Sequence, residues 1–174
     1  MKFGFITVCL FIAGLSASAM AATTLKLDRK IDLLMVDGQR MSGSLLKGAD
    51  SLELSRGQHQ ILFKVVDTVD TQTGAPATYF PSTFIAAFNT EKMTSVSFKL
   101  PPLQTLQDRK NFTAQPQYQL LDETNQAISV RTDAIVLADN DQLDIERKMS
   151  EYNAAAKGAS VAGFATALNE SVSW

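Results

Sequence analysis

Few residues in this 174-residue chain have the types and spacing that catalysis or metal binding needs. There is one histidine, His59, and one cysteine, Cys9. A catalytic histidine needs a nucleophile and an orienting acid within hydrogen-bond reach. His59 shares the parity of Ile61, Phe63 and Val65 and follows the Arg56-Gly57 break, so it is expected at the rim of a strand, packing by its ring. Gly158-Ala-Ser160-Val-Ala162 misses the last glycine of a nucleophile elbow and follows a helical pattern, not a strand. With a single histidine and no cysteine beyond the first residues, zinc has no ligand set. Asp139, Asp141 and Asp144 lack the glycine and terminal glutamate of a calcium loop. They are better explained as acids at the start of a helix. No carboxylate pair stands out for glycoside hydrolysis, and the glycines occur singly, without a phosphate-cradling loop. Asn111-Phe-Thr113 and Asn169-Glu-Ser171 fit the glycosylation acceptor pattern, which recurs by chance and carries no weight. The expectation is a non-enzymatic protein with no catalytic, cofactor or metal residues; a hydrolase working through scattered carboxylates is the enzymatic alternative.

The elements that would position any site begin after a leader. Met1-Lys2 is a short basic region, Phe3–Leu15 is apolar and uncharged, and Ser16–Ala21 is made of small residues apart from Met20. Ala19-Met20-Ala21, with Ala17-Ser18-Ala19 as a second choice, fits the small-x-small rule for cleavage. Residues 1–21 therefore look like a secretory signal peptide, cleaved near Ala21, which places the protein in the periplasm. The apolar run is shorter than the roughly 20 residues that span a bilayer, so no stable membrane insertion is expected after cleavage. Cys9 sits in mid-run behind Val8, a poor setting for lipidation. Loss of Lys2 with the leader moves the formal charge from −2 to −3. Mild acidity with scattered Lys and Arg argues against nucleic acid, which calls for a basic patch. Without cysteine the exported chain has no disulfides, and its stability must come from core burial.

Residues 22–174 read as one mostly-β domain, sandwich-like, with a C-terminal helix at about 141–157. Ile31–Val36, Leu52–Leu54 and Gln58–Val66 are apolar runs separated by Asp37-Gly38 and Arg56-Gly57. Glycine at such breaks supplies positive φ for hairpin turns. Ile31–Val36, apolar on both faces apart from Asp32, is expected to lie centrally with Leu34 buried, as is Phe63 in the third run. Thr24–Leu27, with Leu25 and Leu27 on one face and Asp28-Arg29-Lys30 beside it, suits an edge strand. Asp67–Thr78 is polar and expected to be an exposed loop. Phe84–Phe88 reads as a buried strand and Thr94–Leu100 as a half-buried one ended by Pro101-Pro102. Leu103–Lys110 is expected to hold one or two helical turns. Tyr118–Leu120 and Ile128–Val130 flank a turn at Asp122–Asn125, and Ala134–Ala138 is a further short strand. Ile145, Met149, Tyr152 and Ala156 recur on one helical face, capped by Asn140 or Asp141 and stopped at Gly158. Ile61–Val66 and Thr83–Phe88 have the β propensity and low charge of segments that pair with other strands when exposed, although ordinary core strands read the same way.

Two resemblances carry the reading further. Val36-Asp37-Gly38, a further glycine at 43 or 48, Leu52-Glu-Leu54 and Arg56-Gly57-Gln58-His59 before an apolar strand are similar to the small β-modules called PEGA domains. The second covers nearly the whole chain. The leader, Ile31–Gly38, Gly43-Ser44-Leu45-Leu46, Leu52-Glu-Leu54, Gly57–Gln60 and Tyr152-Asn153 resemble a family of small secreted bacterial proteins long without an assigned function. One member of that family is described as an inhibitor of curli synthesis or secretion. The resemblance implies a protein partner, namely an extracellular amyloid fibre subunit, and no established catalytic residues. The alternative is a structural envelope module that binds cell-wall glycan or another envelope protein. An unpaired sheet edge would favour the first, and a concave aromatic-lined groove the second. Converging acids with perturbed pKa values would favour the hydrolase.

Overall fold

The computed structural model describes residues 21–41, 49–68, 78–138 and 144–165. The leader up to Met20, Asp139, Asp141 and the Asn169 acceptor pattern lie outside these residues, as does most of the loop expected at Asp67–Thr78. Among the described residues, nine strands form two sheets. The four-stranded sheet has the order β4-β1-β7-β8, from β1 (Ala22–Lys26), β4 (Ser51–Ser55), β7 (Ser95–Lys99) and β8 (Gln119–Leu121). The five-stranded sheet has the order β3-β2-β5-β6-β9, from β2 (Ile31–Val36), β3 (Gln39–Arg40), β5 (Gln58–Thr68), β6 (Thr78–Asn89) and β9 (Val130–Ile135). Helix α1 spans Leu106–Ala114 and helix α2 spans Ile145–Ala154. No helix among the described residues is long and apolar enough to cross a membrane.

The alternation of apolar residues decides how the sheets stack. On β5, Ile61, Phe63 and Val65 face the other sheet, where Leu25, Leu54, Val96 and Leu120 meet them in one buried cluster. Leu62 faces the opposite way and joins Met35, Ile85 and Ala87 under Ile145 and Met149 of α2. The five-stranded sheet is thus covered on both faces, which is why Phe84–Phe88 is a continuous apolar run. The mostly-β fold with a helix on its C-terminal side agrees with the sequence pattern. Helix α1 closes one end of the stack: Phe112 lies edge-on to Phe80 at 4.7 Å and tilted against Phe84 at 6.0 Å. It starts at a capping box, in which Thr105 accepts from the Asp108 N–H and Asp108 accepts from the Thr105 N–H.

The glycine breaks are turns, as their sequence requires. Asp37 and Gly38 have φ of 50° and 78°, and Gly57 has φ of 129°. Two consecutive positive values between paired Val36 and Gln39 are what a two-residue hairpin turn matched to the strand twist needs.

Several sequence expectations are corrected. β1 is an interior strand, because its second side pairs in parallel with β7 through Leu25–Val96. Asp28-Arg29-Lys30 guards no edge; it makes the turn between the sheets, where the Ile31 N–H donates to the Asp28 carbonyl. Leu34 is only half-buried. A register shift between Leu33 and Met35 puts Leu34 beside Met35 on the α2 side, while Leu33 turns into the inter-sheet core. The segments at Ile128–Val130 and Ala134–Ala138 are not two strands: β9 runs from Val130 to Ile135 and leaves β8 for the other sheet after a tight turn at Asp122–Gln126. Helix α2 ends at Ala154, short of Gly158. Ala156 takes φ of 51° and is exposed rather than on the buried face. The segment then turns back over the sheet through Ala159, which is fully buried.

Candidate functional site

His59 is buried, not a rim residue, and both ring nitrogens are engaged. Nδ1 lies 2.7 Å from Oδ2 of Asp37, and Nε2 lies 2.6 Å from the Ser55 carbonyl oxygen. Its ring also packs against Phe88, with centroids 6.2 Å apart. Asp37 uses its second oxygen to accept from the Gln60 N–H at 2.8 Å. Burial alone would push His59 down, but the hydrogen bonds to Asp37 and Ser55 and the Asp37 charge outweigh it and raise its pKa. Two acceptors facing the two nitrogens suit the doubly protonated ring. The arrangement therefore clips the β2–β3 turn and the end of β4 to β5. With both nitrogens occupied, the ring has no free position from which to move a proton to a substrate.

On the other face of β5, Gln60 and Asn153 form a reciprocal buried amide pair. Gln60 donates to Asn153 Oδ1 at 2.6 Å, and Asn153 donates to Gln60 Oε1 at 2.9 Å. The same two side chains hold the returning chain, since Gln60 donates to the Ala159 carbonyl and the Val161 N–H donates to Asn153 Oδ1. Tyr152 adds a second anchor: its hydroxyl donates to Asp133 at 2.6 Å and accepts from the Ala159 N–H at 2.9 Å. A Cβ at residue 158 would sit 2.8 Å from an Asp133 carboxylate oxygen and 3.1 Å from the Tyr152 hydroxyl, so any larger residue must displace the Tyr152–Asp133 anchor, and φ of 23° adds strain. Asp37, Gln60 and Asn153 thus link the hairpin turn, the sheet and the C-terminal strap. Replacing Asn153 by Ala strands the Gln60 amide and the Val161 N–H inside. The expected loss is about 1–3 kcal/mol, read from the denaturant midpoint at unchanged slope.

Sheet edges are where a binding function without chemistry would act. Ile61–Val66 and Thr83–Phe88 are interior strands of β5 and β6 and offer none. β3 has two residues and β8 three. β9 has six, but Asp133 bends its own carboxylate onto the Ala134 N–H at 2.8 Å, and Arg131 donates to the Gly158 carbonyl. Short strands and inward-bent charges are common ways of blunting an edge. β4 differs. The Leu27 N–H donates to the Asp50 carbonyl, so hydrogen-bonded pairs alternate from there to Leu25–Leu52 and Thr23–Leu54. The N–H and C=O groups of Ser51 and Glu53 consequently point away from β1, and no strand lies on that side among the described residues. Ser55 points the same way, but its carbonyl is taken by His59 and by Thr90 Oγ1.

The other discriminating features are weaker. A groove of about 440 Å³ runs between Lys99–Pro101 and Pro116–Gln119. Its one aromatic ring, Tyr118, is wedged edge-on against Phe63 and Phe84 at 5.1 and 5.4 Å. The hydroxyl is buried without a partner among the described residues, and burial raises its pKa. Among the described residues three carboxylates are shifted, each downward and each for a local reason. Asp108 is held by the Thr105 backbone and hydroxyl, Asp122 chiefly by the Thr124 hydroxyl, and Glu123 by its own backbone and then that of Thr94. Asp144, at the helix start, bonds Arg147 instead of capping the backbone. Among the described residues no group of three His, Cys, Asp or Glu is placed to hold a metal.

A family model described as an uncharacterized protein conserved in bacteria (DUF2057) matches residues 24–173. A UPF0319 protein of Yersinia pestis biovar Antiqua (strain Angola) is 44% identical over 167 residues, covering 95% of this chain and 72% of the relative. The UPF0319 protein YccT of Escherichia fergusonii is 38% identical over 169 residues, covering 97% and 76%. A UPF0319 protein of Enterobacter sp. (strain 638) is 40% identical over 148 residues, covering 84% and 67%. No solved structure matches the chain.

Proposed function

We propose, proceeding from the fact that this chain belongs to the DUF2057 family of uncharacterised bacterial proteins, that it is a periplasmic, non-enzymatic binding protein that restrains secretion or assembly of a curli-type amyloid fibre subunit. Export rests on the leader ending near Ala21. The partner class rests on the resemblance of Ile31–Gly38, Gly57–Gln60 and Tyr152-Asn153 to the family with a described curli inhibitor. The observation that supports the mechanism is the outward-facing backbone of Ser51 and Glu53 on β4. Such an edge can take up an incoming extended strand by β-augmentation, with main-chain hydrogen bonds supplying affinity. An inhibitor must then stop growth, and β8, the opposite edge of the sheet that β4 borders, has only three residues and offers a poor template for the next subunit. A dye-binding assay of fibre growth against increasing amounts of the exported protein tests this reading. Inhibition is expected to saturate, because each bound edge is consumed. Inhibition at far substoichiometric amounts with cleaved subunit would rule out binding as the mechanism. The groove beside Tyr118 is the observation that favours the second reading, an envelope module taking up glycan or another envelope protein. No effect on fibre growth at molar excess would transfer the proposal to it.

A further inference from the structure

We infer that the segment accepted by β4 is an amphipathic extended strand, apolar on the face that continues the inter-sheet core and basic at the position opposite Glu53. This rests on the binding reading above and adds the chemistry of the partner. Along β4, Leu54 is buried and Leu52 is half-buried against the inter-sheet core, whereas Ser51, Glu53 and Ser55 are exposed. A strand laid along the outer side of β4 must continue both faces. Its residues on the Leu52 side extend the core and are apolar; those on the Glu53 side meet water and a carboxylate.

Glu53 sets the charge rule. Its carboxylate accepts from the Thr24 hydroxyl of β1 at 2.7 Å, which fixes its position on the sheet. It has no ion pair among the described residues. Lys26, on the same face of β1 but opposite Ser51, makes none with it. The carboxylate is therefore available to a cation arriving from the open side. In a cross-strand pair an opposite charge stabilises and a like charge destabilises, by roughly twofold to fivefold in an equilibrium constant for each pair. The same rule acts against self-association. Two copies pairing β4 to β4 about a twofold axis through Glu53 would set two carboxylates opposite each other. One side chain thus keeps the edge from its own kind while leaving it open to a complementary strand.

The test uses short synthetic peptides of alternating Val and Thr, with Lys or Glu at the central position of the polar face, titrated against the full exported protein by fluorescence anisotropy. The Lys peptide is expected to bind roughly twofold to fivefold tighter than the Glu peptide, and Glu53→Lys is expected to reverse the order. Ser51→Pro, at the first residue of β4, removes a donor that faces away from β1 and leaves the Glu53 carboxylate in place; it is expected to weaken both peptides while a thermal melt shows the fold intact. Equal binding of the two peptides, unchanged in Glu53→Lys, overturns the charge rule. Failure of both peptides to bind while fibre growth is still inhibited overturns this inference and leaves the fibre reading to another surface. Lys-selective binding with no effect on fibre growth upholds the inference and sinks the fibre reading.

Discussion

Asp37→Ala is expected to destabilise the protein by about 3 kcal/mol below pH ~6.5, and by less as the pH rises. Removing Asp37 leaves His59 buried with one nitrogen facing nothing and strips the Gln60 N–H of its acceptor. The cost lies at the low end for a broken buried pair because the Asp37 side chain is 27% exposed. The pH dependence follows from the raised pKa of His59 in the folded state. Below the unfolded value of about 6.5 the ring is charged in both states, and the clip contributes fully. As the pH rises through the folded value the imidazolium is lost, and with it the contribution. Denaturant unfolding of wild type and variant at about pH 6 and about pH 9 measures the difference. Equal losses at both would show that the ring is neutral in the fold and that the ionic clip does not exist.

Phe63→Ala is expected to cost about 3–5 kcal/mol. Phe63 is fully buried and touches rings from both sides of the core: Phe84 at 5.4 Å on its own sheet, and at 5.1 Å both Phe98 on the facing sheet and Tyr118 just before β8. Truncation removes the ring that three others pack on and leaves a cavity between layers that are tied by flanking strands and cannot simply collapse. Leu34→Ala is the comparison. It is expected to cost clearly less, because the bulge leaves Leu34 half-buried at the margin of the α2 cluster. Denaturant midpoints that rank Leu34→Ala equal to or above Phe63→Ala would mean the bulge is misplaced.

The parts of this fold that are local in sequence were legible in it. The parity of Gln58–Val66 and the Asp37-Gly38 turn follow from neighbours a few residues apart, and so does the helical spacing of Ile145 and Met149. The parts that depend on distant pairing were not. β1 looks like an edge because its charged flank is adjacent, yet its second partner, β7, arrives some seventy residues later and runs parallel. His59 looks apolar by parity, and only the hairpin turn 22 positions earlier supplies its carboxylate. Asn153 carries no sign in its helix that Gln60 and the Val161 N–H will converge on it. By its residue type Gly158 reads as the helix stop. The chain turns earlier, at Ala156, and the glycine serves the close crossing under Asp133 and Tyr152. The open edge was the least visible of all, since Ser51–Ser55 differs from a core strand only in that no strand among the described residues lies on its outer side.

Amide hydrogen exchange at β4, alone and with an excess of the fibre subunit, tests the central claim most directly. The Ser51 and Glu53 N–H groups point away from β1, so they are expected to exchange fast in the free protein while Leu52 and Leu54 exchange slowly. With the subunit bound, Ser51 and Glu53 are expected to become protected together, the rest of the sheet being unchanged. Binding that leaves both amides fast, with new protection on another surface, would contradict the account.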